Sequence, residues 1–244
     1  MSNQVRIATY NVHKCRGLDR RTSPERIAKV ISDLDADIIA VQEVLDVQGG
    51  RPEFDQVGRI QSLLEGYEIC FGENRTLHGG RYGNLTLSRF PVKLCENYDI
   101  TWRHRERRGC LRSDLVLSNG AVLHLFNIHL GTGFVERRHQ ARRLLSEKVL
   151  NRSYGGAKIV VGDFNEWTRG LASRLMGNAF SAIKPRNVLR YPRTYPGIFP
   201  VLHLDHFYYD KHLHLVSFRV HRSRRALIAS DHLPLVATFE VPVD

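Results

Sequence analysis

The chain has 244 residues, 42% of them hydrophobic and 25% charged, with a formal net charge of +11. That composition belongs to a globular protein long enough for one substantial core, and it excludes a disordered or low-complexity chain. No apolar run approaches the roughly 20 residues of a membrane-spanning helix, and the excess of basic residues points to a polyanionic partner, either nucleic acid or an anionic lipid surface.

The opening MSNQVRIATYNVHK lacks the apolar core of a secretion signal, so a cytoplasmic location is expected. No linker-like composition divides the chain, and residues 1–244 read as one domain. Cys15, Cys70, Cys95 and Cys110 contain no CxxC pair, which argues against a zinc site or a redox motif. In a reducing compartment all four would be free thiols. The arginines gather in three runs, Arg103 to Arg112, Glu136 to Arg143 and His221 to Arg225. Such runs suit phosphate contact, and they also occur as a plain solvated surface.

In chain order, VRIATYNV reads as a strand. SPERIAKVISDL reads as a helix, with Ser23 as cap, Pro24 in the first turn and Ile27, Val30, Ile31 and Leu34 on one face. DIIAVQEV is a strand. FDQVGRIQSLLEG is a helix with Ile60, Leu63 and Leu64 inward, stopped at Gly66. GNLTLSRFPV is a strand, and SDLVLSNGAVLHLFNIHL is a strand pair turning at Asn119-Gly120. FVERRHQARRLLSEKVL is a helix with Val135, Ala141, Leu144, Leu145 and Val149 toward the core. AKIVVGDF, LDHFYYD and LPLVATFEV are strands, and GLASRLM is a short helix. Hairpins beside strand–helix–strand units imply mixed sheets.

The polar residues fall at the ends of these apolar runs. Asn11 follows RIATY, Glu43 follows IIAVQ, and His129 closes LHLFNIH. Asp163 and Asn165 follow IVV, Asp205 follows VLHL, and Asp231 and His232 follow LIAS. Turn chemistry accounts for one Asp–Asn pair. It does not account for Glu43 or His129, which are poor turn formers inside apolar segments. Strand ends on one rim of a sheet converge, and the residue types suit phosphoester hydrolysis. Carboxylates and amides hold a hard cation such as Mg²⁺ with water and substrate phosphate. A histidine beside an acid can polarise water or a phosphoryl oxygen.

The ordered set TYNVH, IIAVQEV, GNLTLSRFPV, FNIHLG, VGDFNEW, LDHFYYD and SDHLPL resembles the endonuclease/exonuclease/phosphatase superfamily, the DNase I-like enzymes, over roughly Arg6 to Val241. The resemblance implies a four-layer α/β sandwich, two mixed β-sheets face to face flanked by helices, with the site at one end. It implies a divalent-metal-dependent phosphoric ester hydrolase, a nuclease in the first reading, using Mg²⁺ with Mn²⁺ as the alternative. Glu43 matches the principal metal ligand, Asn11 the amide beside the metal, and Asp231 a further acid near it. Asp163 matches the carboxylate that activates water, Asn165 an amide that orients phosphate, and His232 the essential histidine. Asp205 matches the carboxylate orienting that histidine, and His129 a residue supporting phosphate or leaving group. For Asn11, Asp205 and Asp231 a structural hydrogen-bonding role is the rival reading. Asn84 matches a family GNA segment or else ends a turn. The stretch Arg186 to Asp205, with Tyr191, Tyr195 and Phe199, is the expected specificity loop. Hydrolysis of a phospholipid headgroup or soluble phosphoester is the alternative reaction, and a non-catalytic binding relative is the alternative class.

Overall fold

The computed structural model describes residues 4–49, 51, 53–150, 155–167, 170–183 and 191–242. The strands are β1 (Gln4–Asn11), β2 (Ile38–Asp46), β3 (Glu68–Leu77), β4 (Gly80–Ser88), β5 (Val92–Asp99), β6 (Gly109–Val116), β7 (Val122–His129), β8 (Ala157–Asp163), β9 (Ser181–Ala182), β10 (Asp205–Tyr209), β11 (His214–Val220) and β12 (Leu235–Glu240). The helices are α1 (Pro24–Leu34), α2 (Gln56–Leu63), α3 (Phe134–Leu144), α4 (Leu171–Ala179) and the single turn α5 (Ala226–Ala229). Among the described residues no helix is long and apolar enough to cross a membrane.

Two sheets of six strands face each other, one ordered β11-β12-β1-β2-β4-β3 and the other β5-β6-β7-β8-β10-β9. Both are mixed: β1–β2 and β7–β8 are parallel, and their neighbours are antiparallel. The unbroken apolar runs of β2 and β8 follow from burial on both faces. Ile38 and Ala40 of β2 pack between the sheets against Leu125, Ile159 and Phe207. Ile39 and Val41 pack outward under Ile27, Val30 and Ile31 of α1 and Ile60 of α2. On the second sheet Phe126, Ile128 and Val160 pack outward with Leu144 of α3 and Met176 of α4. Helices therefore cover both outer faces, and the expected four-layer sandwich is the architecture found.

Local signals mostly act as read. The Ser23 side chain accepts from the Arg26 N–H at the start of α1. Asn119-Gly120 closes the β6–β7 hairpin, with Gly120 at φ 84°. Three polar edge strands, β3, β5 and β11, were not legible, because their exposed faces break the apolar pattern. Two inward assignments need correction. Leu63 is 46% exposed because α2 turns Ile60 and Leu64 inward instead. Val135 is 51% exposed because α3 buries Arg137, Gln140, Ala141 and Leu144, and Val135 falls on the opposite side of the helix.

The cysteines also need correction. Cys70 of β3 and Cys95 of β5 are disulfide-bonded, and only Cys15 and Cys110 remain as buried thiols. The two partners lie on the edge strands of opposite sheets, and a separation of 25 residues carries no pairing signal in the sequence. Such bonds persist in oxidising compartments, which weighs against the cytoplasmic expectation.

Candidate active site

The site forms at one end of the sandwich, where β1, β2, β7 and β8 finish and β10 begins. Glu43 reaches it through a bulge. The β2–β4 ladder shifts register between Val41 and Val44, and Glu43 takes φ 61°. That backbone region costs a non-glycine residue on the order of 1–3 kcal/mol and concentrates at functional sites. The opposite sheet supports the break. The Asn127 Nδ2 donates to the freed carbonyls of Val41 (3.1 Å) and Leu85 (3.0 Å), and the Gln42 Nε2 donates to the Asn127 Oδ1 (2.8 Å). Asn84 ends no turn. It is buried in β4, donating to the Gly109 and Asn127 carbonyls.

Gly162 explains the break in IVVGDFN. At φ 141°, a Cβ there would collide with the Ile128 carbonyl, so only glycine lets β8 press against β7 as it delivers Asp163. Asp163 then accepts from the Asn165 N–H at 2.8 Å, and the Asn165 Nδ2 donates to the Leu130 carbonyl at 2.8 Å.

Asn11 joins the two carboxylates. Its Nδ2 donates to Glu43 Oε1 at 3.1 Å and to Asp163 Oδ2 at 2.9 Å. Three further groups close around them. His129 Nε2 lies 3.6 Å from Asp163 Oδ2 and 3.9 Å from Glu43 Oε1, and His232 Nε2 lies 3.6 Å from Asp163 Oδ2. Asp205 bonds His232 Nδ1 at 2.9 Å and accepts from the Thr194 hydroxyl at 2.5 Å. Asp231 stands apart from this cluster, 3.3 Å from His13 Nδ1, and makes no direct bond to Glu43 or Asn11.

Burial and charge set the protonation states. Burial alone would raise the Glu43 carboxyl, but the Nε2–H of His129, the Lys14 ammonium and the Asn11 amide hold it well below the usual carboxylate range. Burial raises Asp163, against the pull of His232 and His129. His232 resists the same burial, because Asp205 and Asp163 push it up to about 10. That favours the imidazolium, with Nδ1–H on Asp205 and Nε2–H turned toward Asp163.

Three residues escaped sequence reasoning. Lys14 places its ammonium 2.9 Å from Glu43 Oε2, carried on a left-handed turn in which His13, Lys14 and Cys15 have φ of 46°, 58° and 55°. Thr194 anchors Asp205. Arg108 sits in a run that reads as surface, yet it is 7% exposed and its guanidinium contacts His129 Nδ1 at 2.8 Å. Arginine can only donate. His129 Nδ1 must therefore accept, which places its proton on Nε2, facing the carboxylates. Burial and Arg108 together lower His129 to about 4. Replacing Arg108 by Met should raise that value toward 6.5 and cut turnover roughly tenfold or more, as the tautomer is released. Proton NMR titration of His129 checks the shift, and an unmoved titration would refute the assignment.

On the opposite face of β10 from Asp205 a cavity of about 970 Å³ is lined by Glu166, Trp167, Tyr191, Arg193, His203 and His206, among others. Burial lowers His203 to about 2 and His206 to about 4. Between about pH 6.5 and 4 the unfolded chain binds protons that these imidazoles and His129 refuse, so the stability they contribute falls as pH falls through that window. Urea midpoints at about pH 7 and about pH 5 should differ, and His206→Asn should shrink the difference. Of the expected specificity loop, residues 186–190 lie outside the described residues. In the remainder, the Tyr195 ring packs 5.0 Å from that of His232, and Phe199 is 74% exposed.

The donor set is built of hard oxygens. Glu43 is an ionised carboxylate, the kind of oxygen ligand that a cation of the magnesium type takes beside water and phosphate, while Asn11 turns its Nδ2 to Glu43 and accepts the His13 N–H on Oδ1. No group of three or more His, Cys, Asp or Glu among the described residues forms a metal cage.

Carboxylates, amides and a buried His–Asp pair at the end of a two-sheet sandwich define a phosphoester-hydrolase type of centre. The sequence model of the Endonuclease/Exonuclease/phosphatase family matches residues 8–232, and the chain belongs to that family. Members of the superfamily are phosphoric ester hydrolases and commonly use divalent metals. The chain is similar to protein YbhP of Escherichia coli, 29% identical over 212 residues that cover 83% of each chain. Its fold is similar to that of an endonuclease/exonuclease/phosphatase from Bacteroides vulgatus, with TM-score 0.79 and 19% identity, covering 98% of this chain and 99% of that one. It is also similar to the mannosyl-6-phosphatase Bt3783 of Bacteroides thetaiotaomicron, with TM-score 0.75 and 18% identity, covering 98% and 100%.

Proposed function

We propose that the protein hydrolyses phosphodiesters by in-line attack of water, with a divalent cation held at Glu43 and Asn11. The carrying observation is Asp163, a buried carboxylate of raised pKa fixed by Asn11 and the Asn165 N–H and flanked by the two imidazoles. A raised carboxyl is a better base near neutrality, so Asp163 takes the proton of the attacking water. Asn11 and the Asn165 N–H keep its oxygens aimed. His232, held by Asp205 and Thr194, presents its Nε2–H to a phosphoryl oxygen and offsets the charge that builds there. His129 offers the second Nε2–H. Asn165 orients the phosphate, and Asp231 acts on the cation region through His13. Magnesium, or manganese in its place, would supply Lewis-acid charge at the non-bridging and leaving oxygens.

Turnover of bis(p-nitrophenyl) phosphate with Mg²⁺, abolished by a chelator, tests this reading. No turnover with either Mg²⁺ or Mn²⁺ would leave a binding protein. Basic charge supports a polynucleotide substrate and an anionic phospholipid alike. Each phosphate contact with a polymer should add roughly 0.7 to 0.9 to the log–log salt slope. Two candidate arginines are withdrawn from such contact, since Arg108 and Arg137 are buried at 7% and 4% exposure. The apolar side chains around the site favour the phospholipid.

A further inference from the structure

The large apolar side chains that no core claims collect at the catalytic end. On one side, residues 194–197 fold against the His232 loop, the Gly197 N–H donating to the Asp231 carbonyl at 2.6 Å. The segment then turns outward. The Phe199 N–H donates to the Pro196 carbonyl (3.1 Å) and the Val201 N–H to the Tyr195 carbonyl (2.9 Å), so the tip presents Ile198 at 69% and Phe199 at 74% exposure. On the other side, Phe134 and Val135 open α3 shortly after Leu130, whose carbonyl holds Asn165, and Trp167 stands two residues beyond Asn165. All three are more than half exposed. A third pair, Leu18 and Ile228, is tied by a Leu18 N–H to Ile228 carbonyl bond between the loops that carry Lys14 and Asp231. Val201 is exposed beside the tip as well, and among the described residues Leu63, Leu94 and Val216 are the remaining exposed large apolar side chains, on α2, β5 and β11.

The loops at this end carry basic charge. Arg16 and Arg222 are exposed on the loops that lead to Leu18 and to α5, and Arg105 on the loop between β5 and β6, and no ion pair ties these to a carboxylate among the described residues.

We propose that this rim is an interfacial docking surface for an anionic phospholipid bilayer, which sets the catalytic mouth against the headgroup layer. Exposed apolar groups clustered at one end mark an interaction site. The cluster mixes Ile, Val and Leu with Phe and Trp. Aliphatic side chains offer no face for stacking bases, whereas the headgroup boundary takes both kinds. Unpaired arginines around them are attracted to a negative surface. The choice of a lipid as substrate rests on the phosphodiesterase reading. The docking does not, because binding needs no turnover.

Flotation with phosphatidylcholine vesicles containing phosphatidylglycerol, against pure phosphatidylcholine vesicles, tests it. The wild-type protein should float with the anionic vesicles and be released by salt. Phe134→Ser with Val135→Ser, on the α3 side of the rim and outside the specificity loop, should weaken partitioning by about tenfold or more, the worth of one well-buried apolar side chain or more. Turnover of bis(p-nitrophenyl) phosphate should not change, since neither residue touches the reacting groups. Trp167 emission should shift to the blue on vesicles in a Trp102→Phe background. Absence of flotation, or equal flotation of wild type and double variant, overturns the proposal. So does a double variant that loses single-stranded DNA instead of vesicles, which would mean base stacking. A dimer dissolved by the same changes would mean self-association and overturns it as well. Vesicle binding without diester turnover would sink the phosphodiesterase reading and leave the docking surface standing.

Discussion

Replacing Glu43 by glutamine should lower kcat/KM on a small phosphodiester by about 10³-fold while the protein stays folded. The amide keeps the shape of the side chain, so the bulge at φ 61° and its Asn127 support have no reason to move. What disappears is the full negative charge, which burial opposes and which Lys14, His129 and Asn11 sustain. Without it, a divalent cation faces one neutral oxygen and a neighbouring ammonium. Calorimetric affinity for Mn²⁺ should drop by at least about tenfold, and the thermal midpoint without metal should stay near that of the wild type. Wild-type affinity together with wild-type turnover would mean that Glu43 holds no cation.

The second large effect belongs to His232 and Asp205. His232→Ala should cost roughly 10³-fold in kcat. Asp205→Asn should cost nearly as much, because it removes the charge that keeps the imidazole protonated and aimed. The double variant should be little worse than His232→Ala alone, since groups that act as a unit are not additive. Multiplying losses would show two independent roles. A pH profile separates positioning from bulk structure. Asp205→Asn should lower the pKa of His232, so that activity falls at a lower pH on the alkaline side than in the wild type.

How much of this was readable beforehand follows from where each residue stands. Glu43, Asp163 and His232 interrupt or end apolar strands, and a charge in such a place advertises itself. The sandwich was legible because central strands buried on both faces write continuous apolar runs. Arg108 was hidden by company: in RHRERR it looks like its exposed neighbours, and only the fold turns it inward to His129. Lys14 follows a strand by three residues, and nothing local shows that a left-handed turn brings it back to Glu43. Thr194 and Asp205 are eleven residues apart on either side of a loop tip, a pairing that only tertiary structure makes. Val135 was misplaced because polar residues, Arg137 and Gln140, fill part of the buried face of α3, so the apolar pattern pointed to the wrong side.

The Cys70–Cys95 bond makes the sandwich unequal from edge to edge. It joins β3 to β5, and the Asn97 side chain adds a hydrogen bond to the Glu73 carbonyl at 2.7 Å across the same gap. At the far edge, β9 and β11 carry no cross-link. Local opening therefore has a preferred end, and native-state amide exchange should be faster at the β9 and β11 edge than at the cross-linked β3 and β5 edge, and slowest in the central strands. The strands that deliver Asn11, Glu43, His129 and Asp163 are those central ones. Fraying at the β9 and β11 edge can reshape the cavity beside Tyr208 without loosening the carboxylates, so adaptation to new substrates and upkeep of the chemistry can proceed on separate parts of one scaffold.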